Sequence, residues 1–295
     1  MRMPKIILLV LLLSTLLSSI YGQYSYMEEI EEWHEARINR LRQPIGWLSL
    51  VGLIWIEEGK STSFGGSADH RIQFPPEAPS EIGWVLLTGD SVRLMFQDQV
   101  TVQYNDAVVH EVNISRSEIE QSGMLTCGRF RWMLLERGGK IGFRIWDTEK
   151  PILQTFESIP HYPIDSSWRL TASFVPADSS EELEMDNVLG MKIKIQPTGY
   201  IHFEKENQRF QLQTLPGTDS TYFVIFSDET SGIDTYGGGR YVYIPKEDLN
   251  GQTEIDFNKS YNPPCLFTDF ATCLLPSRDN HLHIKIEAGE LAGDH

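Results

Sequence analysis

Short segments of strand length, separated by turn residues, follow one another from residue 46 to near the end of the chain. The clearest pair is 131–136 and 141–146, because Gly138-Gly139 between two apolar runs is typical of a tight β-hairpin. Strands at this spacing predict a mostly β protein built from sandwiches or barrels. Further segments of this kind lie at 192–196, 200–204, 209–213, 222–226, 240–244, 253–257 and 281–286.

One helix is predicted before the strands. Apolar residues recur at three- and four-residue spacing from Met27 through Ile30 to Leu41. Glutamates occupy the first half and arginines the end, as the helix macrodipole favours, and Pro44 and Gly46 end the pattern. We therefore expect a short N-terminal helix that packs its apolar face on the body of the protein.

A cluster of prolines at positions 151, 160 and 163 predicts a boundary between two domains at residues 147–161. An acidic stretch at 178–186 is expected to form an exposed loop within the second of them. The predicted parts are a helix at 23–45, a β-sandwich at 46–150 and a second β-rich domain at 160–295.

Residues 1–22 have the pattern of a secretory signal peptide. Arg2 and Lys5 precede an apolar run at 6–17, and Gly22 is suited to the position before cleavage. The run is shorter than the about 20 apolar residues of a membrane span. We therefore expect an exported chain, periplasmic or secreted, with no transmembrane segment in its mature form. An uncleaved anchor helix is the alternative.

The chain is acidic, with 25 Lys and Arg against 41 Asp and Glu and a formal net charge of −16. Nucleic acids and anionic membrane surfaces are bound through basic patches. We therefore expect no nucleic-acid partner, and the acidity to serve solubility. The composition identifies neither a cofactor nor a protein partner.

The first β domain has a pattern of its own. A glycine-containing turn at residues 58–65 precedes a strand with the sequence Asp69-His-Arg-Ile72-Gln-Phe74. This arrangement loosely resembles forkhead-associated domains, which implies a sandwich fold. The Ser-x-x-His signature of their phosphothreonine site is absent downstream, so the resemblance implies no phosphopeptide binding.

The densest group of polar residues lies in the second β domain. Three glycines precede Arg240 and let the backbone approach another group closely, while two adjacent prolines stiffen a later loop. We predict a pocket at the rim of this domain for a small or anionic ligand. The structural alternative is that Arg240 pairs with Asp228 or Asp256 and that the asparagines form turns. The predicted lining residues are Tyr236, Arg240, Asp256, Asn258, Tyr261 and Asn262.

The cysteine count, three, allows at most one internal disulfide. Cys127 lies in an apolar stretch and is expected to be buried. A Cys265–Cys273 disulfide is one prediction for the other two. The alternatives are a catalytic Cys265 with a base within reach, or a metal site formed by Cys265, Cys273, His281 and His283. Whether the protein is an enzyme stays open.

Several motifs of this chain occur together in one known family. They are Gly-Trp47-Leu-Ser-Leu-Val-Gly52-Leu, Phe-Ser-Asp228-Glu-Thr230-Ser-Gly, Thr-Tyr236-Gly-Gly-Gly-Arg240, Asp256-Phe-Asn258-Lys-Ser-Tyr261-Asn-Pro-Pro-Cys265 and Ala288-Gly-Glu290. Together they resemble the domain-of-unknown-function 1684 family, whose pattern has Cys-Pro-Leu-Pro where this chain has Cys273-Leu-Leu-Pro276. The resemblance implies membership of this family, but it implies no biochemical activity.

The sequence therefore predicts only a broad class of function. We expect a small-ligand-binding or accessory protein of the cell envelope. The alternative is a hydrolase or transferase that uses Cys265 or a metal near Cys265 and Cys273.

Overall fold

The structure, a computed structural model, describes residues 25–293, so the predicted signal peptide at 1–22 lies outside the described residues. The described chain is mostly β, as predicted. Its helices are α1 at residues 25–41, α2 at Ile152–Thr155, and 3-10 helices at Arg116–Gln121, Ser166–Trp168, Phe257–Lys259, Pro264–Leu266 and Arg278–Asn280.

The first half of the chain forms two mostly antiparallel sheets, in the orders β1–β11–β10–β9–β6–β7 and β3–β2–β4–β5–β8. The strands are β1 (Leu50–Trp55), β2 (Thr62–Gly65), β3 (Ile72–Gln73), β4 (Gly83–Thr88), β5 (Ser91–Phe96), β6 (Val102–Tyr104), β7 (Ala107–Val109), β8 (Glu111–Ser115), β9 (Leu125–Cys127), β10 (Phe130–Arg137) and β11 (Lys140–Asp147).

The two sheets pack face to face. Strand β5 alternates, with Val92 and Leu94 buried and Arg93 exposed, so one face of its sheet is apolar. The opposite sheet contributes Trp132, whose ring centroid lies 6.3 Å from that of Phe64. One apolar core therefore fills the space between the sheets, which makes this half a β-sandwich.

The second half forms a nearly closed sheet in the order β18–β17–β16–β15–β12–β19, with β20 parallel to β17. Its two edges approach each other where Thr253 Oγ1 donates to the carbonyl of Pro245 at 2.6 Å. Only the first two residues of the predicted strand at 281–286 pair. The strands are β12 (Arg169–Pro176), β13 (Leu183–Asp186), β14 (Lys192–Ile195), β15 (Gly199–Lys205), β16 (Gln208–Pro216), β17 (Thr221–Asp228), β18 (Arg240–Pro245), β19 (Gln252–Asp256) and β20 (His281–Leu282).

Strands β13 and β14 form a separate hairpin that corrects one prediction. The acidic stretch at 178–186 was expected to be a loop, but its end is β13. Lysines opposite the acidic residues offset their charge, since Lys192 lies 2.9 Å from Asp186 and Lys194 lies 2.6 Å from Glu182. Strand β14, which lies within the predicted segment 192–196, pairs with β13 and not with the following strand β15.

Helix α1 packs one face against the second half of the chain. Among the described residues, no helix is long and apolar enough to cross a membrane. Met27, predicted on the buried face, is 37% exposed, and the neighbouring Tyr26 is buried instead. The buried residues of α1 are Tyr26, Ile30, His34, Arg37 and Leu41.

Candidate functional site

The six residues predicted to line a pocket fall into separate groups, and the first is Arg240. This side chain is 1% exposed, and its Nη2 lies 2.9 Å from Oδ2 of Asp228. The guanidinium also donates to the carbonyls of Ile286, at 2.9 Å, and Ala288. Burial lowers the pKa of Arg240, against the opposing effect of the Asp228 carboxylate. Arg240 therefore fastens the C-terminal segment to β18.

Asp256 and Asn258 form the second group and hold helix α1. The hydroxyl of Tyr26 donates to Oδ1 of Asp256 at 2.9 Å. Asn258 Nδ2 donates to the same hydroxyl at 2.9 Å and to the carbonyl of Asp165 at 2.8 Å. Both side chains are buried, so in this structure they bind the protein's own helix.

Tyr261 and Asn262 form a third group around Glu290, which is fully buried. Glu290 accepts from Nε of Arg37 at 3.2 Å and from the backbone N–H of Asn262 at 2.7 Å. The Arg37 guanidinium lies 4.7 Å from the centroid of the Tyr261 ring. Burial raises the pKa of Glu290, while Arg37 and the Asn262 N–H act in the opposite direction.

Tyr236 stands apart from these networks, half-buried in the turn before β18. A Cβ placed on Gly238 would lie 2.5 Å from its ring. Gly239 has a φ of 82°, and a Cβ there would lie 2.5 Å from the carbonyl oxygen of Phe226. The protein's own atoms therefore account for Gly238 and Gly239 of this turn.

Cys265 and Cys273 form a disulfide, with Cα atoms 6.1 Å apart. Neither sulfur is then available as a nucleophile or as a thiolate ligand. Cys127 is free and buried, as predicted. His281 and His283 lie beside Glu229, at 3.5 and 3.3 Å from its Oε1. The predicted metal set of two cysteines and two histidines is therefore not assembled in this structure.

A cavity of about 390 Å³ lies where the sandwich, the outer face of the barrel and the disulfide loop meet. Strand β17 explains its apolar wall, because alternate residues of a strand face opposite sides of the sheet. Val224 and Phe226 face the barrel core, whereas Phe223 and Ile225 line the cavity. Tyr241 of the neighbouring strand β18 extends the same wall.

Arg144 of β11 brings a positive charge into this cavity. Its guanidinium lies 5.4 Å from the centroid of the Trp47 ring. Its Nε is buried and has no hydrogen-bond partner among residues 25–293. Burial, followed by the nearby charge of Arg137, lowers the pKa of Arg144 to about 10, so it stays protonated at neutral pH. Arg137 also lines the cavity but is paired with Glu120 at 2.7 Å.

Asn187 provides a second donor at the cavity wall. It is 2% exposed, and its Oδ1 accepts the backbone N–H groups of Leu189 at 3.0 Å and Met191 at 2.9 Å. These two bonds fix the orientation of the amide. Its Nδ2 has no partner within the described part of the chain. Two side chains that each carry a donor without an acceptor thus line one mostly apolar cavity.

A larger groove of about 860 Å³ runs along the sandwich, but the positive charge in it is already paired with a carboxylate. Its arginine, Arg129, lies 2.6 Å from the carboxylate of Asp147. The other charged lining residues are Glu77, Glu81 and Glu149.

Arg144 and Asn187 were not among the predicted site residues. The sequence does carry one signal for Arg144, because it interrupts the apolar run of β11. No comparable signal exists for Asn187, since asparagine in a turn is expected for local reasons alone.

One family model, described as "Protein of unknown function (DUF1684)", matches residues 154–291. The matched segment contains the polar groups and the disulfide, whereas Trp47 and Arg144 precede it. Among solved structures, an uncharacterized protein from gene locus rrnAC0354 of Haloarcula marismortui, determined by solution NMR, is similar at 26% identity. The match covers 47% of this chain and 78% of that one, with a TM-score of 0.39. No curated protein matches. Residues 154–291 thus match the model of the DUF1684 family, the family that the motifs of this chain resemble.

Proposed function

We propose that the protein binds small organic acids with an apolar body in the cavity between the sandwich and the barrel. The observation that carries the proposal is the pair of unsatisfied donors, Nε of Arg144 and Nδ2 of Asn187, on two residues that line a mostly apolar cavity. A carboxylate offers acceptor oxygens to both. This site replaces the predicted rim pocket, because the structure engages most of those residues elsewhere.

The size and walls of the cavity support this ligand class. A volume of about 390 Å³ falls within the range of roughly 300–1,000 Å³ typical of small-molecule sites. Phe223, Ile225 and Tyr241 offer apolar surface for a hydrocarbon or an aromatic ring. Arg144 is partly shielded from water, so its attraction for a carboxylate exceeds that of an exposed arginine.

An exported location is part of the proposal. It rests on the signal-peptide pattern of residues 1–22. The Cys265–Cys273 disulfide supports it, because disulfides persist in oxidising compartments. In that setting the protein would act as a binding or accessory protein of the cell envelope.

Octanoate and 3-phenylpropionate are suitable probes, with octanamide as a neutral analogue of the first. We expect calorimetric titration to show that the wild-type protein binds the carboxylates more tightly than the amide. Arg144→Leu should weaken carboxylate binding about tenfold or more, since a charge-assisted hydrogen bond contributes roughly 1.5–3 kcal/mol. Amide binding should change little.

Arg93→Leu is the matched control, because Arg93 is an exposed arginine on the other sheet of the sandwich, paired with Glu111. It should leave all affinities unchanged. The proposal fails if neither carboxylate binds, or if Arg144→Leu and Arg93→Leu bind octanoate equally well.

A further inference from the structure

Three potential metal ligands meet at the edge of the barrel, on Glu229, His281 and His283. One ligand atom from each side chain lies within 4.8 Å of the others. Oε1 of Glu229 lies 3.5 Å from Nε2 of His281 and 3.3 Å from Nδ1 of His283. The disulfide contributes nothing to this cluster.

The backbone holds the two segments that carry these side chains. Strand β20 runs parallel to the end of β17, with Ser227 opposite His281. The backbone N–H of Glu229 donates to the carbonyl of Ile284 at 3.1 Å. The carboxylate and the two imidazoles therefore project from segments whose separation is fixed by hydrogen bonds, before any ion is bound.

A neighbouring hydroxyl orients one of the imidazoles. Nδ1 of His281 lies 3.0 Å from Oγ of Ser227, which can accept its N–H. That tautomer leaves the Nε2 lone pair directed toward Glu229. Metal-binding histidines commonly donate their second N–H to such an acceptor, which fixes the tautomer.

We propose that Glu229, His281 and His283 bind a divalent transition-metal ion of the zinc class. Imidazole nitrogen with one carboxylate oxygen is a donor set that zinc accepts readily. Zinc–ligand bonds of about 2.0–2.1 Å place tetrahedral ligand atoms about 3.3 Å apart, close to the two distances from Oε1. The side chain of His283 is 84% exposed, so water can complete the coordination.

Bound metal would fasten the segment after β20 to the turn after β17. The same two segments are joined nearby, where Oδ2 of Asp228 accepts the N–H of Ile286 at 2.8 Å.

The test is calorimetric titration of the full mature chain, without a histidine tag, with Zn²⁺ at about pH 7.5. We expect one zinc ion per chain. His281→Gln and His283→Gln should each weaken binding by about tenfold or more. Zinc should also raise the Tm of the wild-type protein.

His110→Gln is the matched control, because His110 is an exposed histidine 3.9 Å from a single carboxylate, Asp98. It should bind zinc like the wild type, and so should Arg144→Leu, since the ligand cavity is a different site. Circular dichroism checks that the histidine variants are folded. Absence of stoichiometric binding, or binding that survives His281→Gln and His283→Gln in folded protein, would overturn the proposal.

Discussion

The wholly or partly buried arginines Arg240, Arg37 and Arg144 differ in whether the protein supplies an acceptor for the guanidinium. Arg240 has Asp228, and Arg37 has Glu290, each within 3.2 Å. A charge removed from water needs such a partner, because the lost solvation is otherwise uncompensated. Within residues 25–293, Nε of Arg144 has no acceptor, and its guanidinium lies on the face of Trp47. The first two arginines are therefore structural, and the third is the one on which the proposed ligand site rests.

Removal of Arg240 should be costly. In Arg240→Met, Asp228 keeps its burial but loses its counter-charge, so we expect a loss of about 3–5 kcal/mol in the free energy of unfolding. Urea denaturation followed by tryptophan fluorescence measures it. Arg209→Met serves as control, since Arg209 is 89% exposed and its pair with Glu204 should contribute about 0–1 kcal/mol. Equal losses in the two variants would contradict the assignment.

The sequence indicates some of these contacts and not others. The Arg240–Asp228 pair was one of two alternatives, because the two residues flank one turn. The Arg37–Glu290 pair could not be predicted, since 253 residues separate its members and no local pattern connects them. The same holds for Asn187, because only the fold shows that it lines the same cavity as Arg144.

At the scale of elements, the periodicity of apolar residues predicts whether a segment is a helix or a strand, but it does not predict which element that segment packs against. The hairpin of β10 and β11 follows from Gly138 and Gly139, which adopt φ values of 56° and 75° that suit glycine. Helix α1 was also predicted, but its partner was not, because an apolar stripe shows only which face is buried. Strand β13 was missed because the lysines that offset its acidic residues lie on the opposite strand.

The docking of α1 should depend on pH through His34. Burial, and then His161 and Arg37, lower the pKa of His34 to about 4, against about 6.5 in an unfolded chain. Between these values the unfolded chain binds more protons, so stability falls as the pH falls from about 6.5 toward 4. We expect this group to account for a loss on the order of 1–3 kcal/mol.

Urea titrations across this pH range test the expectation. His34→Gln should flatten the decline, whereas His110→Gln, an exposed control, should keep it. Glu290, whose pKa is raised by burial, acts in the opposite sense, because its contribution is lost as the pH rises above its unfolded value. A decline that is unchanged in His34→Gln would exclude His34 as its source.

At the scale of the whole molecule, the sandwich and the barrel have separate apolar cores. The sandwich core draws on residues between 56 and 145, and the barrel core on residues between 168 and 288. Helix α1, although it precedes the sandwich, contacts the barrel through Tyr26 and Arg37. Helix α1 thus docks on the barrel, although the sandwich lies between the two in the sequence.

The stability of isolated fragments should depend on whether each contains all the contacts of its core. A fragment of residues 46–150 contains a complete core, and we expect it to unfold cooperatively on its own. A fragment of residues 154–293 lacks α1, so buried Asp256 and Glu290 lose Tyr26 and Arg37, and we expect a lower Tm. Addition of a peptide of residues 25–45 should raise that Tm, as calorimetry would show. A peptide without effect would contradict the docking.

The contacts of α1 also affect when, during synthesis and folding, this helix can dock. Tyr26 leaves the ribosome 230 residues before its partner Asp256, and Arg37 leaves 253 residues before Glu290. Contacts this distant along the chain form late, since a long loop must close first. Docking of helix α1 therefore requires nearly the whole polypeptide to be synthesised. A chain that is secreted from its amino end would cross the membrane before its final fold could form.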